Sequence, residues 1–155
     1  MINFVKSTVY LALLSFSSFL LGRFLPKSWF RYNIFPFKDF KFEKSGKIYL
    51  STGVRKWKNK VPDMSTIMSF LIPSKKLPKA INADSVKEML TENCIAEWIH
   101  YLLAVLGFGC VFIWENIGGW IVSVLYAIGN LPYIIIQRYN RPKLVRLLKS
   151  IEQRG

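Results

Sequence analysis

Between residues 98 and 136 the chain carries one charge, Glu115, and a run of that length and apolarity has to be matched to a hydrocarbon solvent before any other feature is read. The stretch Trp114-Glu115-Asn116-Ile117-Gly118-Gly119 breaks it with a tight acidic turn, leaving spans over about 96–113 and 120–136. A third uncharged stretch, 7–22, lies between Lys6 and Arg23, whose side chains can snorkel to extend it to a full crossing. A cleaved signal peptide is the rival reading of that stretch. No small-x-small site follows it, because Gly22-Arg23-Phe24 leads directly to Leu25-Pro26, so a retained anchor is expected.

The 155 residues allow one domain, 1–155, and 52% apolar content with 15% aromatics agrees with a membrane protein. A net charge of +13 would point to nucleic acid in a soluble chain, but the cations crowd beside apolar spans and no nucleic-acid motif accompanies them. Anionic headgroups or a phosphate-bearing substrate are the expected partners instead. Cys94 and Cys110 lie on what reads as one helix, about 24 Å apart at 1.5 Å per residue, so they cannot pair with each other. With one histidine and no cysteine cluster, a zinc site is not expected, and no cofactor is implied.

Residues 23–96 hold 15 Lys and Arg against six Asp and Glu, interleaved with Trp29, Phe30, Phe35, Phe37, Phe40 and Phe42. Rings beside cations suit the headgroup layer, so this loop is expected to lie on the membrane. Within it, 48–54 reads as a brief strand or extended segment. The run Arg55-Lys56-Trp57-Lys58-Asn59-Lys60-Val61-Pro62-Asp63 gathers four cations around one indole, which suits phosphate but equally a solvated patch. Pro62 restrains the backbone just before Asp63, aiming that carboxylate or merely starting a turn. Residues 65–83, with Pro73, Pro78 and Lys75-Lys76, read as an irregular connection. Asn82 or Asp84 can then cap a helix starting near Ser85.

Along that helix Val86, Leu90, Asn93, Glu97, His100 and Ala104 recur at three and four residues and make one stripe, which is expected to face protein. Glu97 and His100 share its face because three residues advance about 300°. A carboxylate beside an imidazole raises its basicity, as a base that deprotonates a hydroxyl requires, although a purely structural pair has the same spacing. Intramembrane ionisable groups are functional candidates by default. Further on, Asn130 precedes Leu131-Pro132, so a polar amide enters a dry region beside a helix-weakening proline, as a kink or a substrate contact. Gln137-Arg138-Tyr139-Asn140-Arg141-Pro142 leaves the apolar run, and beyond it Leu144, Leu147, Leu148 and Ile151 oppose Lys143, Arg146 and Lys149 as a surface-lying amphipathic helix. The expected fold is therefore mainly α and integral to the membrane, with three transmembrane helices, a basic membrane-lying loop and a C-terminal amphipathic helix.

The run 55–63, the Glu97-x-x-His100 pair, the Phe40-Lys41-Phe42-Glu43-Lys44 segment, and Asn130-x-Pro132 leading into Gln137-Arg138-Tyr139-Asn140-Arg141-Pro142 together resemble the glycosyl-4,4'-diaponeurosporenoate acyltransferase family, known from staphyloxanthin carotenoid synthesis. The resemblance covers roughly residues 34–152. It implies a small membrane acyltransferase that esterifies a sugar hydroxyl of a membrane glycolipid. On the residues alone, His100 oriented by Glu97 would act as base, Arg138 or Asn140 would meet the oxyanion, and Arg55, Lys56, Lys58 and Lys60 would hold the phosphates of an acyl-CoA or acyl carrier protein donor. Trp57, Asp63, Asn130, Gln137, Tyr139 and Arg141 complete the expected substrate contacts. Cys94, one helical turn before Glu97, is read as a buried thiol rather than a nucleophile. A non-catalytic module binding anionic lipid or a partner enzyme would use the same basic surface. A methyltransferase or reductase would need an adenine-containing cofactor, and no glycine-rich fingerprint is present.

Three spans put the basic loop and the basic tail on one side, and the positive-inside tendency makes that side cytoplasmic in a multi-pass protein of the cell membrane. A cysteine introduced at Asn116, with Cys94 and Cys110 replaced, should react with a membrane-impermeant reagent from outside the cell. One at Gln153 should react only after permeabilisation, and the reverse pattern would invert the topology.

Overall fold

A computed structural model describes residues 1–62 and 81–154. Three of its helices are long and apolar enough to cross a membrane: α1 (Ile2–Phe24), a continuous pair of segments over Ala83–Ile113, and the helix over Ile117–Glu152. Among the described residues there is no strand. The second of these begins as α3 (Ala83–Leu106), tightens into a 3-10 turn at Gly107–Gly109, and ends as α4 (Cys110–Ile113); the last is α5 (Ile117–Glu152). A four-residue helix, α2 (Val54–Trp57), lies in the loop between α1 and α3. The chain forms two compact units, one of residues 1–26 and 95–134, the other of 27–94 and 135–155.

In the first unit the helices meet through small residues. Gly22 of α1 sits against Ile95 and Ile99 of α3, and Ser7 and Ser18 are buried on the same helix, as expected where lipid offers no hydrophobic gain and close approach has to supply the attraction. The 3-10 turn in the second span frees carbonyl groups that water cannot reach. Tyr10 Oη donates to Leu106 O at 2.8 Å and Ser123 Oγ to Gly107 O at 3.2 Å, so the break is satisfied by neighbouring helices. Gly109 lies under the Tyr10 ring and Gly107 under Tyr126, where any Cβ would collide with the ring. Val9, Leu13, Ile121, Leu125 and Ile128 remain exposed, as lipid-facing side chains of a span should.

The second unit is held by an apolar cluster of Val86, Leu90 and Leu148, with Tyr32, Leu144, Val145 and Ile151 packed on it. The amphipathic pattern beyond Pro142 is therefore real, but it belongs to α5, which runs unbroken through Pro132 and Pro142. Its apolar stripe is covered chiefly by α3, and Leu147 stays exposed. Asn82 caps α3 by accepting from Ser85 N at 2.8 Å, while Ser85 Oγ accepts from Asn82 N at 3.0 Å. Lys27 pairs with Glu88 at 2.7 Å and Lys87 with Glu152 at 3.2 Å on the exposed faces.

The expected strand at 48–54 is instead a 3-10 turn over Lys47–Leu50 followed by α2. Left-handed backbone at Lys44, Ser45, Gly46 and Gly53 brackets the segment, and such φ values end an extended run on both sides. Gly46, at φ 84°, also approaches α5 so closely that a Cβ would stand 3.4 Å from Pro142 Cγ and from Tyr139 O. Asp63 and the irregular connection with Pro73, Pro78 and Lys75-Lys76 lie outside the described residues.

Two glycines of α5 should respond oppositely to alanine. At Gly119 a Cβ would collide with the carbonyl oxygens of Trp114 and Cys110, both backbone, whereas at Gly129 it would meet nothing within 4 Å. Gly119→Ala should lower thermal stability in detergent by roughly 1–3 kcal/mol of overpacking. Gly129→Ala should raise it by up to about 1 kcal/mol through helix propensity. Equal effects would refute the tight hairpin geometry.

Candidate functional site

His100 of the first unit is half-buried, and its ring is fixed from two directions. Its Nδ1 lies 2.9 Å from Asn130 Oδ1, and the ring stacks on Tyr133 with centroids 4.3 Å apart and planes 11° from parallel. The Asn130 amide is oriented in turn, because its Nδ2 donates to Tyr126 O at 2.9 Å. Oδ1 can then only accept, so the proton of a neutral imidazole sits on Nδ1 and the lone pair on Nε2. Tyr126 continues the network through its hydroxyl, 2.8 Å from Ser15 Oγ, which itself donates to Leu11 O at 2.8 Å. Tyr126, Asn130 and Tyr133, spaced four and three, share one face of α5. That spacing was visible in the sequence around Asn130 and would have identified both tyrosines.

Asn130, expected as a substrate contact, is hydrogen-bonded to the histidine. Glu97 is fully buried one turn before His100 on α3. Among the described residues no group of three or more His, Cys, Asp and Glu side chains is arranged to hold a metal ion. Cys94 and Cys110 are buried and are not joined in a disulfide.

Arg138 and Arg141, in the second unit, are 4% and 1% exposed. Arg138 Nη2 donates to Pro36 O at 2.6 Å, and Nη1 stands 3.3 Å from Glu43 Oε2 and 3.4 Å from Lys38 O. Its guanidinium covers the Phe40 ring at 5.0 Å. Glu43 is 2% exposed and also accepts from Phe40 N at 2.7 Å and from the Tyr49 hydroxyl. Arg141 Nη1 donates to Phe37 O at 2.6 Å and Nε to Asn93 Oδ1 at 2.8 Å, while Asn93 Nδ2 donates to Gln137 Oε1 at 2.6 Å. These side chains tie the segment 36–43 to α5 and α3. Glu43, Tyr49 and Asn93 are partners that sequence reasoning missed, since only folding brings them to the arginines.

The expected donor-binding run divides. Arg55 Nε donates to Tyr139 Oη at 3.2 Å, and Lys58 Nζ is 5.8 Å from the centre of the same ring. Trp57 Nε1 donates to Thr52 O at 2.8 Å, and Lys56 and Lys60 are exposed. Asn140 is half-buried on α5.

Burial pushes the Asp39 carboxyl above its ordinary range, and the Glu43 charge adds to this against Arg141, Arg138 and Arg146. A raised folded-state value means that ionised Asp39 is disfavoured by folding, so its contribution to stability is greatest at low pH and declines as pH rises through that value. Asp39→Asn should therefore raise thermal stability modestly at neutral pH, with the gain vanishing below about pH 4, where aspartate is protonated in both states. Thermal melts of both proteins across pH would show a constant difference if Asp39 did not titrate in this way.

Set against known proteins, residues 26–150 match the family model described as glycosyl-4,4'-diaponeurosporenoate acyltransferase. Proteins of that name from Staphylococcus aureus strains N315 and USA300 are each 38% identical to this chain over 142 residues, spanning 87% of it and 81% of their own length. The strain Newman protein is 37% identical over the same span. No solved structure matches the chain.

Proposed function

This chain belongs to the glycosyl-4,4'-diaponeurosporenoate acyltransferase family, and from that premise we propose that it transfers a fatty acyl group to a sugar hydroxyl of a glycosyl carotenoid or related membrane glycolipid. The observation that carries the mechanism is the hydrogen bond from His100 Nδ1 to Asn130 Oδ1, which leaves Nε2 as a base. Nε2 takes the proton of the sugar hydroxyl as its oxygen attacks the carbonyl of an acyl thioester. The C–O ester bond forms, the C–S bond breaks, and the leaving thiolate receives the proton from the imidazolium. The donor is acyl-CoA or acyl carrier protein, with its phosphates met by the cations of 55–60. Glu97, buried one turn before His100 on α3, and Tyr133, stacked on the imidazole, support the ring. Arg138 and Arg141 serve by keeping the 36–43 segment in place. The protein works in the cell membrane with its basic loop and C-terminus cytoplasmic, where thioester donors are found.

His100→Ala should lower turnover by about 10²–10⁴-fold, the usual worth of a general base, while the protein stays folded in the membrane. Asn130→Ala should cost less, about tenfold, and Asn130→Asp, which restores an acceptor at Nδ1, should recover part of it. Glu97→Gln should also fall short of the histidine variant. Acyl esters in lipid extracts, resolved by mass, provide the readout, and full activity in His100→Ala would overturn the mechanism.

A further inference from the structure

Tyr139 is 5% exposed, yet three cations from two elements converge on its ring. Lys143 Nζ lies 3.3 Å from the ring centre, Lys58 Nζ 5.8 Å, and Arg55 Nε donates to the hydroxyl at 3.2 Å. The spacing explains the convergence. Tyr139 and Lys143 are four apart on α5, and Arg55 in α2 and Lys58, the residue that caps its C-terminus in αR backbone, are three apart, so each pair shares a face. Among the described residues, the ion pairs are Lys27 with Glu88 and Glu92, Lys87 with Glu152, and Arg138 with Glu43, and none includes these three cations. Among the described residues their charge meets the electron-rich face of one ring and its hydroxyl oxygen. Arg55 and Lys143 are exposed, so their remaining N–H groups are open to a ligand.

We propose that Arg55, Lys58 and Lys143, gathered around Tyr139, form a binding site for a phosphate ester. A guanidinium fork and two ammonium groups set around a rigid, buried aromatic floor suit the oxygens of such a group. The ring spaces the cations, and the anion removes the repulsion between them. Lys143 lies outside the basic run that the sequence marked, and α5 delivers it to the other two. One source of the ester is the acyl donor, and in this the assignment rests on the acyl-transfer reading; the other is an anionic lipid headgroup.

The test uses the full chain purified in neutral detergent and titrated calorimetrically with inorganic pyrophosphate. The wild type should bind, Lys143→Ala and Arg55→Ala should each weaken binding about tenfold or more, and Lys143→Arg should retain it. Removing two charges elsewhere in the loop, with Lys41→Ala and Lys47→Ala, should leave it unchanged, which separates a site from general attraction. No binding by the wild type, or equal binding by the wild type and Lys143→Ala, would overturn the proposal. A protein that binds pyrophosphate but makes no acyl ester would sink the acyl-transfer reading and leave the site standing. Two further arms identify the source. A raised KM for the donor with turnover kept in Lys143→Ala assigns the ester to the donor, whereas an unchanged donor KM with weakened binding to phosphatidylglycerol vesicles assigns it to the headgroup.

Discussion

In hydrocarbon a backbone N–H or C=O has no water to turn to, and each one left unpaired costs several kcal/mol. Helical α1, α3 and α5 follow from this, and so does the treatment of the one interruption in the second span. At Gly107–Gly109 the α-helical ladder gives way to a 3-10 turn, and Tyr10 and Ser123 reach across from α1 and α5 to the carbonyls of Leu106 and Gly107. The glycines let the tyrosine rings lie against the turn. Packing by small residues and pairing of backbone groups are thus the same device seen twice.

Similar reasoning governs the polar groups of the second unit. The guanidinium groups of Arg138 and Arg141 are almost wholly withdrawn from solvent, and burial of a charge is tolerated only with dense hydrogen bonding. Both find it in the carbonyl groups of the 36–43 segment, with Glu43 supplying a countercharge to Arg138 and Asn93 an acceptor to Arg141. A loop rich in Lys and Phe, with little regular structure of its own, gains a fixed course along α5. Gly46 then allows the backbone to come up to Tyr139 and Pro142.

His100 shows how a site is prepared by groups that need not touch substrate. The carbonyl of Tyr126 orients the Asn130 amide, the amide decides which imidazole nitrogen carries the proton, and the Tyr133 ring sets the plane. Each link is neutral, which suits a dry environment where a charged orienting group would be expensive. In the proposed reaction the imidazole becomes charged only transiently, while the negative charge passes from the acyl oxygen to the leaving thiolate and is quenched when the imidazolium returns its proton.

The sequence by itself determined the spans and the buried stripe through Val86, Leu90, Asn93 and Glu97, because apolar periodicity is local, and it narrowed the helix cap to Asn82 or Asp84, of which the structure uses Asn82. It also determined the family, through short motifs that survive as text. Residues 48–54 escaped it because short apolar runs bounded by glycine fit an extended segment or a tight turn equally, and left-handed backbone at Gly46 and Gly53 decides between them. What only the tertiary structure decided was the destination of each polar side chain. Asn130 meets a histidine 30 positions away, and Arg138 reaches Glu43 across 95 and Pro36 across 102. Arginine in a motif does not name its partner, since a group as far away as 102 positions is brought within hydrogen-bonding distance only when distant segments pack.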